Sequence, residues 1–197
     1  MADSLAPDAV GPLLRGRFGS TVYHYAELAP STQRMIGEND PEGAIALVEE
    51  QSEGRGRLGR TWQAPPGTSL LFSVLLQPAV ESSRLPELSL VAGGAVAEAI
   101  AEVTGLQPAI KFPNDVLIGG RKVAGILAES SEGRVVLGVG INVNQTLEQL
   151  PENAQTRPTS LRLELDGPVD RARLLAAVLV RLEGAYDAWV SGTSAPG

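Results

Sequence analysis

The chain has 197 residues, 43% of them apolar, a formal net charge of −7 and no cysteine. That length suits one domain with a substantial core, and the missing thiols exclude disulfides, thiolate metal sites and cysteine nucleophiles. The acidity argues against a general nucleic-acid binder, which needs a broad basic face, and no apolar run approaches the roughly 20 residues of a membrane span.

Residues 1–16, rich in Ala, Pro, Gly and Asp, read as a flexible or loosely packed arm. They show no basic stretch followed by an apolar run, so no signal peptide is expected and the cytoplasm is the default location. Residues 18–25 form the first expected strand. It carries His24, the only histidine. With no Gly-x-Ser-x-Gly elbow in the chain, His24 reads as structural rather than as part of a serine triad. Ser31 is an expected helix N-cap, followed by Arg34, Met35 and Ile36. Residues 44–50 contain the run Ala-Ile-Ala-Leu-Val, a buried strand, and residues 69–76 (SLLFSVLL) a central one.

Between these two strands lies Gly54-Arg55-Gly56-Arg57-Leu58-Gly59-Arg60. Three planar, permanently charged forks on a glycine-rich backbone suit a loop that closes over carboxylate or phosphate. Trp62 adds a flat face for an aromatic base; the alternative is a mobile surface loop with Trp62 tucked into the core.

Residues 86–103 read as a helix, with Leu88, Val91, Ala92, Ala95, Val96, Ala99 and Ile100 at three- and four-residue spacings. Gly93 and Gly94 interrupt it at a cost of about 1 kcal/mol each, which close packing on a sheet would explain. Strands are expected at 109–112, 116–118, 122–129 and 135–143, with Gly119-Gly120 as a tight hairpin. A polar, proline-bearing stretch covers 145–159. An amphipathic helix at 169–190 follows, and then a small-residue tail at 191–197. Short turns between strands imply an α+β fold: a mixed, largely antiparallel sheet with helices packed on one face.

Among 16 basic residues only Lys111 and Lys122 are lysines. Where arginine serves as the general cation, a retained lysine marks a need for a compact ammonium. Both flank Phe112-Pro113-Asn114-Asp115 and the hairpin. Strict alternation puts Lys122 on one face with Ala124, Ile126 and Ala128; a lysine there either snorkels at the edge or meets an anion. Gly138-Val139-Gly140-Ile141-Asn142-Val143-Asn144 is a weaker signal, compatible with a turn or with close approach to a ligand.

Ser31-Thr32-Gln33, the Gly54-to-Trp62 loop, Lys111-Phe112-Pro113-Asn114-Asp115, Lys122-Val123-Ala124-Gly125-Ile126-Leu127 and Gly138-Val139-Gly140-Ile141-Asn142, in this order over residues 20–190, resemble the biotin protein ligases, which attach biotin to carboxylase carrier domains. The resemblance implies a class II aminoacyl-tRNA synthetase/biotin ligase-like fold with its catalytic domain at 17–190. It implies two steps: biotin and ATP give biotinyl-AMP and pyrophosphate, then a lysine of a biotin carboxyl carrier protein takes the biotin. Carried over by position, Lys122, Arg57, Lys111 and Asp115 are the catalytic candidates. Ser31, Thr32, Gln33, Gln51, Gly54, Arg55, Gly56, Arg57, Lys122 and Gly125 would bind biotin. Arg57, Gly59, Arg60, Trp62, Lys111, Asn114, Lys122 and Asn142 would bind ATP or the adenylate, and Asp115 would hold Mg2+. No DNA or membrane partner is implied, and the family includes monomers and homodimers. Two departures stand out: Phe112 replaces a frequent tryptophan, and the small C-terminal domain usual after the last helix is not expected within this chain. The rival readings are a lipoate ligase-like enzyme and a non-catalytic biotin or adenylate sensor.

Overall fold

The computed structural model describes residues 3–152 and 154–193. Seven strands form one mixed sheet: β1 (Tyr23–Ala29), β2 (Ile45–Gln51), β3 (Ser69–Leu76), β4 (Ala109–Lys111), β5 (Asp115–Ile118), β6 (Arg121–Ser131) and β7 (Arg134–Asn142). Their order is β1-β2-β3-β7-β6-β5-β4; β1 and β2 run parallel, and every other neighbouring pair is antiparallel. This is the α+β layout expected from the short turns. Gly119 and Gly120 both take positive φ (55° and 77°) in the hairpin between β5 and β6, the conformation such turns require.

The helices are α1 (Pro7–Val10), α2 (Thr32–Met35), α3 (Leu88–Thr104), α4 (Leu161–Leu165) and α5 (Arg171–Ser191). Strand alternation sorts side chains to two faces. Leu70, Phe72, Val74 and Leu76 of β3 and Leu137, Val139 and Ile141 of β7 join the apolar face of α5 and the buried side of α3 in one core. On the opposite face, Val48 and Leu71 pack with Met35 of the single-turn α2 and with Trp62. The two long helices therefore cover one face and leave the other open. Gly93 touches Ile110 and Ile126, but a Cβ there would sit at an ordinary 3.7–3.8 Å, so close packing does not demand the glycine.

Three expectations shift. Residues 3–16 are packed rather than loose: Leu5 and Val10 are fully buried, and Asp3 pairs with the buried Arg171 at 2.7 Å. The first strand begins five residues later, because Phe18 enters the core from a turn in which Gly19 has φ 77°. Helix α4 and its Ser160 cap, which accepts from the Leu163 N–H, lie just beyond the stretch read as polar loop. Of the expected tail, residues 194–197 lie outside the described residues.

Candidate active site

A cavity of about 340 Å³ opens on the uncovered face, between α2, the loop at 54–62 and the β4–β5 turn. Its neutral end is built by the start of α2. Ser31 caps the helix by accepting from the Gln33 N–H. The Thr32 N–H donates to Gln51 Oε1 (2.9 Å), and its hydroxyl meets Ser73 Oγ at 2.8 Å. Gln33 spends its amide N–H groups on the carbonyls of Leu127 and Val136, so its Oε1 remains to accept a bond. This end offers short neutral hydrogen-bonding groups and no charge.

The floor is glycine. Gly125, Gly138 and Gly140 line it together with Leu71 and Leu127. The indole of Trp62 lies against this shelf: a Cβ on Gly140 would fall 2.6 Å from Trp62 Cε2, and one on Gly125 2.9 Å from Cζ3. Its Nε1 is buried without a partner among the described residues. Trp62 is thus part of the cavity's own surface, and it also packs against the small apolar cluster of Ala29, Val48 and Leu71.

The loop closes on itself as a small hairpin. Arg55 bridges Thr61, the Gly56 N–H donates to Arg60 O (2.7 Å), and the Trp62 N–H donates to Gly54 O (2.9 Å). Gly54 lies behind the lining; a Cβ there would strike Trp62 O at 2.1 Å. Arg55 pairs with Glu129 at 3.0 Å. Arg57 and Arg60 line the cavity and form no ion pair among the described residues. Gly59, with φ 71°, shapes the loop tip without touching the cavity.

The charged end belongs to β6. The pairings Val116–Ala124 and Leu117–Lys122 leave Val123 as an extra residue, a β-bulge that resets the side-chain alternation. Val123 and Ala124 are both buried, and Lys122 turns to the cavity beside Gly125. This corrects the alternation expected from the sequence, which placed Lys122 with Ala124, Ile126 and Ala128. The ammonium lies 2.7 Å from Asp115 Oδ1 and 5.5 Å from the Trp62 ring centre. Lys111, at the rim, donates to Thr156 Oγ1 (3.0 Å).

Two candidates are occupied with holding the frame. Asn114 lines the cavity, but its amide donates to Ile126 O while the Ile126 N–H donates back to Asn114 O. Asn142 is buried outside the lining, donating to Thr159 O and accepting from Gln145 Nε2. Asp115 is the one carboxylate of the lining, and the described residues contain no group of three His, Cys, Asp or Glu arranged for a metal. Lining residues outside the sequence-derived candidates include Leu71, Gly138, Gly140, Gln155 and Thr156. The two glycines stood in a motif too weak alone, and Gln155 and Thr156 lie in a polar stretch with no periodic signal. His24 contacts Asp40 at 2.7 Å and is not among the residues lining the cavity.

A family profile described as the biotin/lipoate A/B protein ligase family matches residues 25–145. The chain belongs to that family. Within it, the chain is 37% identical over 174 residues to the bifunctional ligase/repressor BirA of Bacillus subtilis, covering 84% of this chain and 53% of that protein. It is 39% identical over 160 residues to the biotin--[acetyl-CoA-carboxylase] ligase of Mycobacterium tuberculosis, covering 79% and 59%. The chain therefore spans somewhat over half the length of these relatives. The fold superposes on the biotin protein ligase of Aquifex aeolicus in complex with biotin and ATP with a TM-score of 0.80 and 34% identity, covering 88% of this chain and 73% of that one. No helix among the described residues is long and apolar enough to cross a membrane.

Proposed function

We propose that this chain carries an ATP-dependent biotin protein ligase activity, with its catalytic domain at 17–190. The observation that carries this reading is the bulge at Val123, which turns the Lys122 ammonium into a cavity with a neutral, glycine-floored end and arginines on its covering loop. A ligand with a neutral hydrogen-bonding head, an apolar body and a terminal carboxylate matches that sequence of surfaces. Biotin has this shape, and relatives at 37% and 39% identity are named as ligases, one of them for biotin.

In the first step a biotin carboxylate oxygen forms a bond to the α-phosphorus of ATP, and the bond to the β-phosphate oxygen breaks to release pyrophosphate. Two anions must meet, so fixed cations come first. Lys122 is assigned to the biotin carboxylate and the α-phosphoryl oxygens, with Asp115 holding its ammonium in place beforehand. Ser31, Thr32, Gln33 and Gln51 take the ureido end. Arg55, Gly56 and Arg57 close over the biotin and its phosphate. Arg60, Trp62 and Lys111 serve the nucleotide side. Asn114 and Asn142 act by holding β6 and residues 157–159. Asp115, the cavity carboxylate, would hold a magnesium ion brought by ATP, which would offset phosphate charge; one carboxylate fits an ion bound mainly by its substrate rather than a protein cage. In the second step the ε-amine of a carrier lysine attacks the acyl carbon, and AMP leaves. The acceptor assigned is a biotin carboxyl carrier protein of a carboxylase.

Pyrophosphate release is the test. It should require both biotin and ATP, and lipoate should not replace biotin. Release driven by lipoate instead would move the chain to the lipoate branch of its family; tight biotin binding without release would make it a sensor.

A further inference from the structure

Lys122 is gripped from the side that β7 has left. The β6–β7 ladder ends at the Ala124–Ile141 pair, and residues 157–159 take over beside the lysine. The Lys122 N–H donates to Arg157 O (2.8 Å), and the Thr159 N–H donates to Lys122 O (2.8 Å). Three residues of irregular chain have no ladder of their own to hold them. Asn142 donates to Thr159 O, and their second anchor is Glu164 on α4. Its carboxylate accepts from the Thr159 hydroxyl on one oxygen and meets the Arg121 guanidinium at 2.6 Å on the other.

The Glu164 side chain is only 9% exposed. A carboxylate that far from water needs charge-assisted partners, and its two partners bracket the lysine: Arg121 precedes Lys122, and Thr159 binds its backbone. We propose that Glu164 and Thr159 are positioning residues that fix the Lys122 backbone and so aim its ammonium at the reacting carboxylate. The proposal rests on the reading of Lys122 as the anion-binding residue of biotin activation. A compact ammonium on a four-carbon stem keeps its aim only if the backbone beneath it is held, and a displacement of about 1 Å at a reacting centre can cost about 100-fold in rate.

The discriminating variant is Thr159→Val, which keeps the shape and the backbone N–H but removes the hydroxyl. Thr159→Ser restores the hydroxyl. The readouts are pyrophosphate release at saturating biotin and ATP, biotin Kd by calorimetry, and melting temperature, with rates normalised to the biotin-binding fraction. Thr159→Val should lower the saturated rate about tenfold while biotin Kd stays within about twofold, and Thr159→Ser should stay within about twofold of the parent. A lower melting temperature with an unchanged saturated rate would overturn the proposal, leaving these residues as supports of α4. So would failure of Thr159→Ser to recover the rate. Lys122→Ala in the same assay separates the two readings. If Lys122→Ala retains the parent rate, the assignment of Lys122 fails; if it is inactive and Thr159→Val is normal, the positioning role alone fails.

Discussion

Lys122 faces the cavity because of one extra residue. Lysine scarcity marks it in the sequence, but its orientation does not show there: alternation assumes an unbroken period of two, and the bulge at Val123 breaks it through a pairing with β5 that no local pattern encodes. The glycine shelf poses the same problem. Gly125 and Gly140 stand in recognisable motifs, yet their reason for being glycine is an indole that arrives from residue 62. Gly140→Ala should push that ring into the cavity, since overpacking a fitted site costs about 1–3 kcal/mol. Biotin affinity should then fall about tenfold or more, with a shift in tryptophan emission that comes from Trp62, Trp189 being the only other tryptophan. Unchanged affinity and emission would show that the ring does not rest on Gly140.

At the level of elements, continuous apolar runs made β2 and β3 legible, and three- and four-residue spacing did the same for α3 and α5. Strand β1, Tyr-His-Tyr-Ala-Glu-Leu-Ala, is a half-exposed edge without clean alternation, and α4 has five residues, too few for a helical period to register. The arginine-glycine loop was readable as an anion clamp but not in its shape. It is a hairpin whose tip sets Leu58 at φ 60°, a left-handed conformation costly for leucine. The Arg57 and Arg60 forks are free of ion partners among the described residues, so under the proposed function the adenylate would supply the loop's counter-charge. Trypsin, which cuts after arginine, should cleave within residues 55–60 far more slowly once biotin and ATP are both present. Equal cleavage rates in the two conditions would rule out closure on the ligand.

The whole molecule is sealed at its N-terminal end by a buried cation. Arg171 opens α5 and is 2% exposed at its side chain. It meets Glu49 of β2 at 2.6 Å and Asp3 at 2.7 Å, and donates to Ser69 O of β3. Burial pulls its pKa down, but the hydrogen bonds it donates to Glu49 and Asp3 outweigh this and raise it. The Ala-, Pro- and Gly-rich composition of the first 16 residues suggested looseness because Arg171, the charged partner of Asp3, lies 168 residues away. Removing one member of such a cluster strands the others, at a cost of about 3–5 kcal/mol. Arg171→Ala should therefore lower the denaturant midpoint sharply, and Arg171→Met with Glu49→Gln should recover part of the loss. An unfolding free energy within about 0.5 kcal/mol of the parent, the range of an ordinary surface change, would contradict this account of the seal.

The most direct test of the central claim is a single-turnover measurement of biotinyl-AMP formed from biotin and α-labelled ATP, comparing the parent chain with Lys122→Ala at equal biotin-binding concentration. The parent should form about one adenylate per site, and the variant should form it at least about 100-fold more slowly, the scale of losing one preorganised charge contact in the transition state. No adenylate from the parent, or equal rates from the two proteins, would contradict it.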